Sequence, residues 1–249
     1  MPLLEDKTAI VYGAGGVIGA AVARAFAREG ARVHLVGRTR ERLERVAAQI
    51  EAAGGSAEAA QVDALDERAV NEHADAVASA GSLDISFNLI SHGDVQGAPL
   101  TEMSLDDFER PVRTAVRTTF ITATAAGRHM RKQRGGVILI FGGYGPPHAG
   151  VGGLQVAFGA LESLRGALAC ELGPFGIRVL TLQTGGIVEA LPADFAGRQA
   201  ITDEIESRTM LGRGASLADV GNVAAFAASD YARSMTSTAL NITCGSVPG

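Results

Sequence analysis

Short apolar runs with strand composition alternate with segments of helical periodicity, and this alternation restricts the fold more than any other feature of the chain. The strand-like runs cover residues 8–12, 31–36, 57–62, 83–90, 136–141, 177–182 and 238–243. Two segments that follow the first and second of these runs, residues 20–30 and 41–55, carry apolar side chains every three or four positions, as amphipathic helices do. This repetition predicts an α/β fold, in which helices cover both faces of a doubly wound, mostly parallel sheet of about seven strands.

The composition is that of an ordinary globular chain and excludes several classes of protein. Its 249 residues, 47% hydrophobic and 20% charged, can fill one core, and no low-complexity linker interrupts them, so we expect a single domain over residues 1–249. The net charge of −5 argues against a nucleic-acid partner. No apolar run is long enough to span a membrane and no secretion signal is recognisable, so we expect a cytoplasmic protein without a membrane partner.

The two cysteines are too few for a disulfide framework or a zinc cluster, so the sequence predicts no metal site. Cys170 lies in an apolar helical run. We therefore expect its side chain to fill space in the core rather than to carry redox chemistry.

A glycine-rich turn joins the first strand to the first helix. Gly13, Gly15, Gly16 and Gly19 would allow positive φ angles and let a pyrophosphate approach the backbone amides at the positive end of the helix. A tight structural turn is the alternative. The position of the turn, after a strand and before an amphipathic helix, favours dinucleotide binding.

The end of the second strand indicates which dinucleotide is bound. Proteins that hold the adenine ribose of NAD usually place a carboxylate there, but this chain has Gly37 and then Arg38, and its next carboxylate is Glu41. Arg38 could stack on the adenine and pair with a 2′-phosphate, or be an ordinary solvated residue at the start of a helix. We expect NADP, with NAD as the less favoured cofactor.

From residue 7 to about residue 245 the chain resembles the short-chain dehydrogenase/reductase family. The family's TGxxxGxG turn corresponds to residues 12–19, with Tyr12 in place of its threonine and Val17 in place of its middle glycine. The resemblance implies a Rossmann-type fold, a small-molecule substrate and a homo-oligomer, dimeric or tetrameric, built through helices four and five. It also implies cofactor contacts from Ile18 in the turn, Asp63 and Ala64 after strand three, Asn88 and Ile90 after strand four, and Gly185 and Ile187 after strand six.

The family's catalytic Asn, Ser, Tyr and Lys have no counterparts in this sequence. The chain has two lysines, Lys7 and Lys132, and neither follows a tyrosine at the spacing YxxxK. Matching helix five to the family places Leu154 at the tyrosine position, Phe158 at the lysine position, Phe141 or Gly142 at the serine position and Ala115 at the asparagine position. The resemblance then implies that Phe141, Leu154 and Phe158 form an apolar floor beside the nicotinamide.

Other polar residues could replace the missing proton donor. Tyr144 and His148, in the loop after strand five, are the candidate catalytic residues, because a tyrosine and a neutral histidine could supply and relay a proton. The alternative is that they shape the loop or contact the substrate. His92 and Asp94, just beyond strand four, could act on the ligand or form a surface turn.

Several further polar residues have more than one interpretation. Glu189 stands where the family often has a threonine that contacts the nicotinamide amide, and it could approach the cofactor or point to solvent. Arg113 and Arg117, spaced i and i+4 on helix four, could reach the cleft or a subunit contact, or form a solvated face. His34, inside strand two, and His73, expected on a polar helix face, are interpreted as structural.

The sequence leaves the following functions open. The favoured one is an NADP(H)-dependent oxidoreductase that transfers hydride to a pre-activated, for example imine-like, acceptor, because such an acceptor needs no strong protein acid. The alternatives are an inactive or non-redox nucleotide-binding scaffold, and an enzyme of elimination or cyclisation that works by pocket shape and Tyr144 or His148.

Overall fold

The computed structural model of the protein describes residues 2–143 and 149–246. In these residues seven parallel strands form one sheet in the order β3-β2-β1-β4-β5-β6-β7. The strands are β1 Thr8–Tyr12, β2 Arg32–Gly37, β3 Ser56–Gln61, β4 Ile85–Asn88, β5 Gly136–Gly143, β6 Ile177–Thr184 and β7 Thr238–Asn241. The order reverses between β1 and β4, which is where open α/β sheets bind their ligands.

The helices of the described residues are α1 Val17–Arg28, α2 Arg40–Ala52, α3 Glu67–Ser79, α4 Leu105–Gln133, α5 Leu154–Leu172, α6 Arg198–Ser207 and α7 Leu217–Ala228. Helices α1, α2 and α7 pack on one face of the sheet, and α3, α4 and α5 pack on the other. Helix α6 contributes no buried residue. The expected fold class, a Rossmann-type doubly wound sheet, is confirmed.

Two apolar clusters, one on each face of the sheet, form the core. Successive side chains of a strand point to opposite faces, so Val11 enters the cluster under α1 and α7 while Ile10 enters the cluster under α4 and α5. All of β1 is buried. Strand β3, by contrast, lies at the edge of the sheet and is half exposed, so the near-continuous burial expected of the strands holds only toward the centre.

Strand β4 is shorter than its apolar run predicts. Its pairing with β1 extends only from Ile85 to Asn88, because β1 itself ends at Tyr12. Beyond the ladder, the backbone N–H of Ile90 turns to the side-chain oxygen of Asn88, 3.1 Å away. Strands β5 and β6, which pair with each other through Gly143 and Thr184, extend two residues further than predicted.

Two sequence-based expectations about buried residues are wrong. Cys170 is exposed on α5 rather than buried in the core, because it lies on the side of the helix turned away from the sheet. His73 is not on a polar face: its ring is half buried and lies edge-to-face with the ring of His34, with the ring centroids 5.9 Å apart. None of the helices in the described part of the chain has the length and apolar character needed to cross a membrane.

Candidate functional site

The glycine-rich turn is packed so tightly that two of its positions exclude any side chain. Gly13 has a φ of 80°, and a Cβ there would collide with the backbone carbonyl of Leu89 at the end of β4. A Cβ at Gly19, in the first turn of α1, would collide with the backbone of Gly13. The turn is held to the sheet by the Gly13 and Ala14 N–H groups, which donate to the carbonyl of Val36 at 2.8 and 3.1 Å.

Helix α1 begins with an open amino terminus. Gly16 is its N-cap residue, has extended backbone and provides no side-chain cap. The first amides of a helix have no intrahelical acceptor, so those of Val17, Ile18 and Gly19 are directed out of the helix end toward the turn. Gly16 is exposed and Ile18 is half buried. The turn therefore fits the phosphates of a dinucleotide, which such a helix end attracts.

Two arginines lie beside this turn. Arg38, directly after β2, is exposed, and the Gln61 side chain donates to its backbone carbonyl at 3.0 Å. The Cβ of Arg42 would be 3.1 Å from a Cβ at Gly15. Neither guanidinium makes a hydrogen bond or ion pair with any residue in the described ranges. Arg42 was not identified from the sequence, although its spacing of four residues from Arg38 was a usable signal.

The residues expected after β3 lie at the same carboxyl edge of the sheet. The Asp63 carboxylate accepts a hydrogen bond from the Leu65 N–H at 3.0 Å and so closes the turn that follows the strand. Asp63 is exposed, whereas Ala64 is buried in the cluster under α4 and α5.

Asn88 links β4 to α4 at the carboxyl edge of the sheet. Its side-chain amide donates to the hydroxyls of Thr118 at 3.0 Å and Thr119 at 2.9 Å, and its side-chain oxygen accepts from the Ile90 N–H. All three side chains are buried, so this network fixes the backbone that follows β4. The two threonines were not identified from the sequence.

Phe158, the residue expected at the family's lysine position, packs its ring against the end of β5. Phe158, in the second turn of α5, lies so close to the backbone of Gly143 that a Cβ at Gly143 would collide with the ring. The ring of His92 meets it edge-to-face, with the centroids 6.0 Å apart and the planes at 66°. Burial lowers the pKa of His92, and the charge of Asp94 partly opposes this shift.

The apolar floor differs from the expected one. Leu154 is half buried at the start of α5, but Phe141 packs against the cluster on the opposite face of the sheet, since side chains alternate along β5. Gly143, the last residue of β5, departs from this alternation, since a Cβ there would meet the ring of Phe158. Ala115, on α4 at the position expected for the family's asparagine, is buried.

The tyrosines in the described residues do not replace the missing acid. Tyr12 is buried, its hydroxyl has no hydrogen-bond partner among the described residues, and burial raises its pKa. Tyr231 is 79% exposed, just beyond α7. Tyr144 and His148, the candidate catalytic residues, lie outside the described residues.

Glu189 is exposed, as the solvent alternative expected, and it also makes a contact that was not expected. Its carboxylate accepts a hydrogen bond of 2.7 Å from the N–H of Leu217, the first residue of α7. Gly185, just after β6, is exposed, and Ile187 is buried in the core cluster under α1 and α7. The exposed Glu189 side chain therefore also ties the segment after β6 to α7.

The arginines of α4 match the solvated-face alternative in part. Arg113 is exposed and lies 3.4 Å from Asp106 and 3.9 Å from Glu109, both on its own helix. Arg117 is also exposed.

A family model and several known proteins match this chain over most of its length. The family model described as "Enoyl-(Acyl carrier protein) reductase" matches residues 13–246. The uncharacterized oxidoreductase YxbG of Bacillus subtilis is 32% identical, over 92% of this chain and 87% of the relative. The L-rhamnose 1-dehydrogenase (NAD(P)(+)) of Azotobacter vinelandii is 34% identical, over 98% of this chain and 97% of the relative.

Solved structures show the same similarity. A short-chain dehydrogenase/reductase from Serratia marcescens has a TM-score of 0.85 at 30% identity, covering 96% of this chain and 97% of that one. A chain from Beutenbergia cavernae, described as an NAD(P)-dependent gluconate 5-dehydrogenase with NADP bound at low occupancy, also has a TM-score of 0.85 at 30% identity, with 97% of each chain covered.

Proposed function

The chain belongs to the short-chain dehydrogenase/reductase family of oxidoreductases, and from that premise we propose that it binds NADP(H) and transfers hydride to a pre-activated, imine-like acceptor. The observation that carries this proposal is Phe158, an aromatic ring at the position of the family's lysine, packed against Gly143 at the end of β5. We take the whole of residues 1–249 as one domain, which the family-model match over residues 13–246 supports.

The residues that would hold the cofactor follow the carboxyl edge of the sheet. The open end of α1 suits the pyrophosphate, and the segments after β3, β4 and β6 would line the rest of the cleft. The set proposed is Gly13, Gly15, Gly16, Ile18, Gly19, Arg38, Asp63, Ala64, Asn88, Ile90, Gly185 and Ile187. When bound, a reduced nicotinamide supplies the hydride.

Two arginines support NADP over NAD. Arg38 is exposed directly after β2, and the stem of Arg42 lies against Gly15 in the turn. A 2′-phosphate on the adenine ribose would give these guanidinium groups a doubly charged partner, and such charge-assisted hydrogen bonds are the strong ones.

The choice of acceptor follows from the missing acid. Without the family's tyrosine and lysine, an enzyme that reduces a ketone forgoes roughly 10²–10⁴-fold of acid catalysis. An acceptor that already carries a positive charge on its C=N group needs no such donor. Tyr144 and His148 stay proposed as a proton relay for less activated substrates.

The cofactor proposal is tested by titrating the protein with NADPH and NADH. We expect NADPH to bind more tightly, and Arg38→Ala to weaken NADPH by about tenfold or more while changing NADH little. Arg40→Ala, which removes a neighbouring guanidinium paired with Glu44, is the matched control. Equal losses for both nucleotides in Arg38→Ala would refute the assignment.

Turnover is measured by following the absorbance of NADPH with panels of imines and ketones. Oxidation of NADPH by imines but not by ketones is the expected result. The same ring at position 158 also favours a second candidate, a nucleotide-binding scaffold without redox activity, because it removes the residue with which the family holds the nicotinamide ribose. NADPH binding without turnover of any acceptor would establish that second candidate instead.

We further propose that the protein is a homo-oligomer, dimeric or tetrameric, assembled through α4 and α5. These helices pack against each other and leave large apolar side chains in solvent, with Phe120 51% exposed on α4 and Val156 49% exposed on α5. Cys170 is exposed on α5 as well. Burial against a second copy would remove this apolar surface from water.

A further inference from the structure

His92 lies between the glycine-rich turn and the position of the missing lysine. A Cβ at Gly13 would be 3.1 Å from the backbone nitrogen of Ile90, so the turn touches the chain just two residues before His92. On the other side, the His92 and Phe158 rings meet edge-to-face at 6.0 Å. Among the described residues, His92 is thus the titratable side chain that contacts Phe158, the residue expected at the lysine position.

The segment that carries His92 is anchored at both ends, unlike a free surface turn. Before it, the Ile90 N–H is bonded to the Asn88 side chain. After it, the Gly97 N–H donates to the carbonyl of Gly150 at 2.7 Å, which joins the segment to the chain leading into α5. The segment is therefore held at both ends by hydrogen bonds that do not involve the His92 ring.

Among the residues that the structure describes, few charged groups lie near this ring pair. On the same segment Asp94 faces His92, and its side chain is hydrogen-bonded to Gln96 at 2.6 Å. From α4, the stem of Arg110 lies next to Gly93, but its guanidinium is engaged by Asp106 and Asp107 on its own helix, at 2.8 and 2.7 Å.

From α5 the group in contact with His92 is the uncharged ring of Phe158. Burial lowers the pKa of His92, so its imidazole is neutral at neutral pH and keeps one nitrogen as a hydrogen-bond acceptor.

We infer that His92 and Phe158 form a subsite for a cationic acceptor, in which the phenyl face attracts the positive C=N group and the imidazole accepts a hydrogen bond from its N–H. This inference rests on the proposed function and specifies its substrate class. A lysine at position 158 would repel such a cation, whereas an aromatic face attracts it. The exchange of Lys for Phe thus converts the site from one that activates a neutral carbonyl to one that accepts a charge.

The reaction balances without a proton donor. NADPH is the reductant: a hydride adds to the carbon of the protonated C=N group, and the π-electron pair becomes the lone pair of the nitrogen. The N–H proton stays on the nitrogen, so the product is a neutral amine and the other product is NADP⁺. Because His92 only accepts a hydrogen bond, it contacts the substrate without exchanging a proton.

The position of His92 is tested by nuclear magnetic resonance of histidine-labelled protein. The chain has five histidines, and the His92 signal is assigned by its loss in His92→Gln. We expect NADPH to shift this signal, whereas 2′,5′-ADP, which fills only the adenine half of the cleft, leaves it unchanged. If NADPH binds by calorimetry and the His92 signal does not move, this inference is wrong while the proposed function stands. If NADPH does not bind at all, the proposed function fails first.

Charge selection is tested on the NADP⁺ complex with two ring compounds of similar size. Protonated 2-methyl-1-pyrroline should shift the His92 signal, and neutral cyclopentanone should not. Phe158→Leu should weaken the cation by roughly 3- to 30-fold, and Phe158→Lys should abolish its binding. Calorimetric NADP⁺ binding by each variant shows that it is folded. Absence of a shift with the cation, or equal shifts with the ketone, would overturn the subsite.

Discussion

His34 on β2 and His73 on α3 face each other inside the protein. Their rings are 5.9 Å apart, and the Nδ1 atom of His73 is buried without a hydrogen-bond partner in the described ranges. Burial lowers the pKa of both groups, and for His73 burial together with the neighbouring His34 brings the pKa to about 4. Glu58, 3.7 Å from His34, acts in the opposite direction. Both imidazoles are therefore neutral in the folded state at neutral pH.

This pair makes the free energy of unfolding depend on pH. Below the unfolded-state pKa of about 6.5, unfolded His73 takes up a proton that the folded protein excludes, so stability falls from about pH 6.5 down to about pH 4. The loss attributable to His73 is at most about 3 kcal/mol. Urea denaturation across this range should show a slope that His73→Gln reduces. His129→Gln, which changes a histidine paired with Asp75, is the control, and an equal reduction there would contradict the assignment.

Several hydrogen-bond acceptors stabilise the amino terminus of α7. Ser216 and Asp219 form a capping box, and Arg213 lies 2.8 Å from Asp219. The Ser216 backbone N–H, followed by Arg213, lowers the pKa of Asp219 to about 2. Glu189 adds an acceptor from 28 residues earlier, through the N–H of Leu217. The segment after β6, which would border the cofactor, is thereby attached to a helix that packs against α1.

Removing the Glu189 carboxylate should destabilise the amino terminus of α7. We expect Glu189→Ala to lower the free energy of unfolding by about 1 kcal/mol, because the first turn of α7 loses a charged partner. Glu189→Gln should lose less, since its amide oxygen can still accept the bond. Chemical denaturation checks both values. Asp194→Ala, a change at an exposed carboxylate in the same connection, serves as control, and a loss equal to that of Glu189→Ala would show that the Leu217 contact contributes nothing.

At the scale of the whole molecule, the strand order brings the glycine turn, the end of β4 and the start of α5 to one edge of the sheet. The helices α4 and α5 that support this edge also carry the exposed Phe120 and Val156. A second copy docked on this pair of helices would therefore brace the substrate side of the site.

The oligomer proposal predicts that charge on this surface dissociates the assembly. Phe120→Asp combined with Val156→Arg should lower the mass measured by analytical ultracentrifugation toward that of one 25.6 kDa chain. Phe195→Arg changes another exposed apolar residue, between β6 and α6, and should leave the mass unaltered. A wild-type protein that sediments as a monomer would refute the proposal.

Much of the architecture could be predicted because its signals are local. The run at 8–12 corresponds residue for residue to β1, the glycines after it form the turn, and the predicted strands pair in parallel. The loss of the YxxxK motif is also visible in the sequence. Two predictions that did not depend on the family resemblance were wrong about the side of a helix on which a residue lies. Cys170 and His73 each lie on the other side of their helix from the one expected.

The sequence by itself determined the fold class, the glycine-rich turn and the absence of the YxxxK motif, since periodicity, glycine spacing and residue identity are properties of neighbouring residues. Only the tertiary structure decided that Glu189 caps α7, that Phe141 turns away from Phe158, and that His92 meets Phe158. Each of these depends on which residues distant in sequence pack together. That choice is made when the whole core closes, and no local pattern records it.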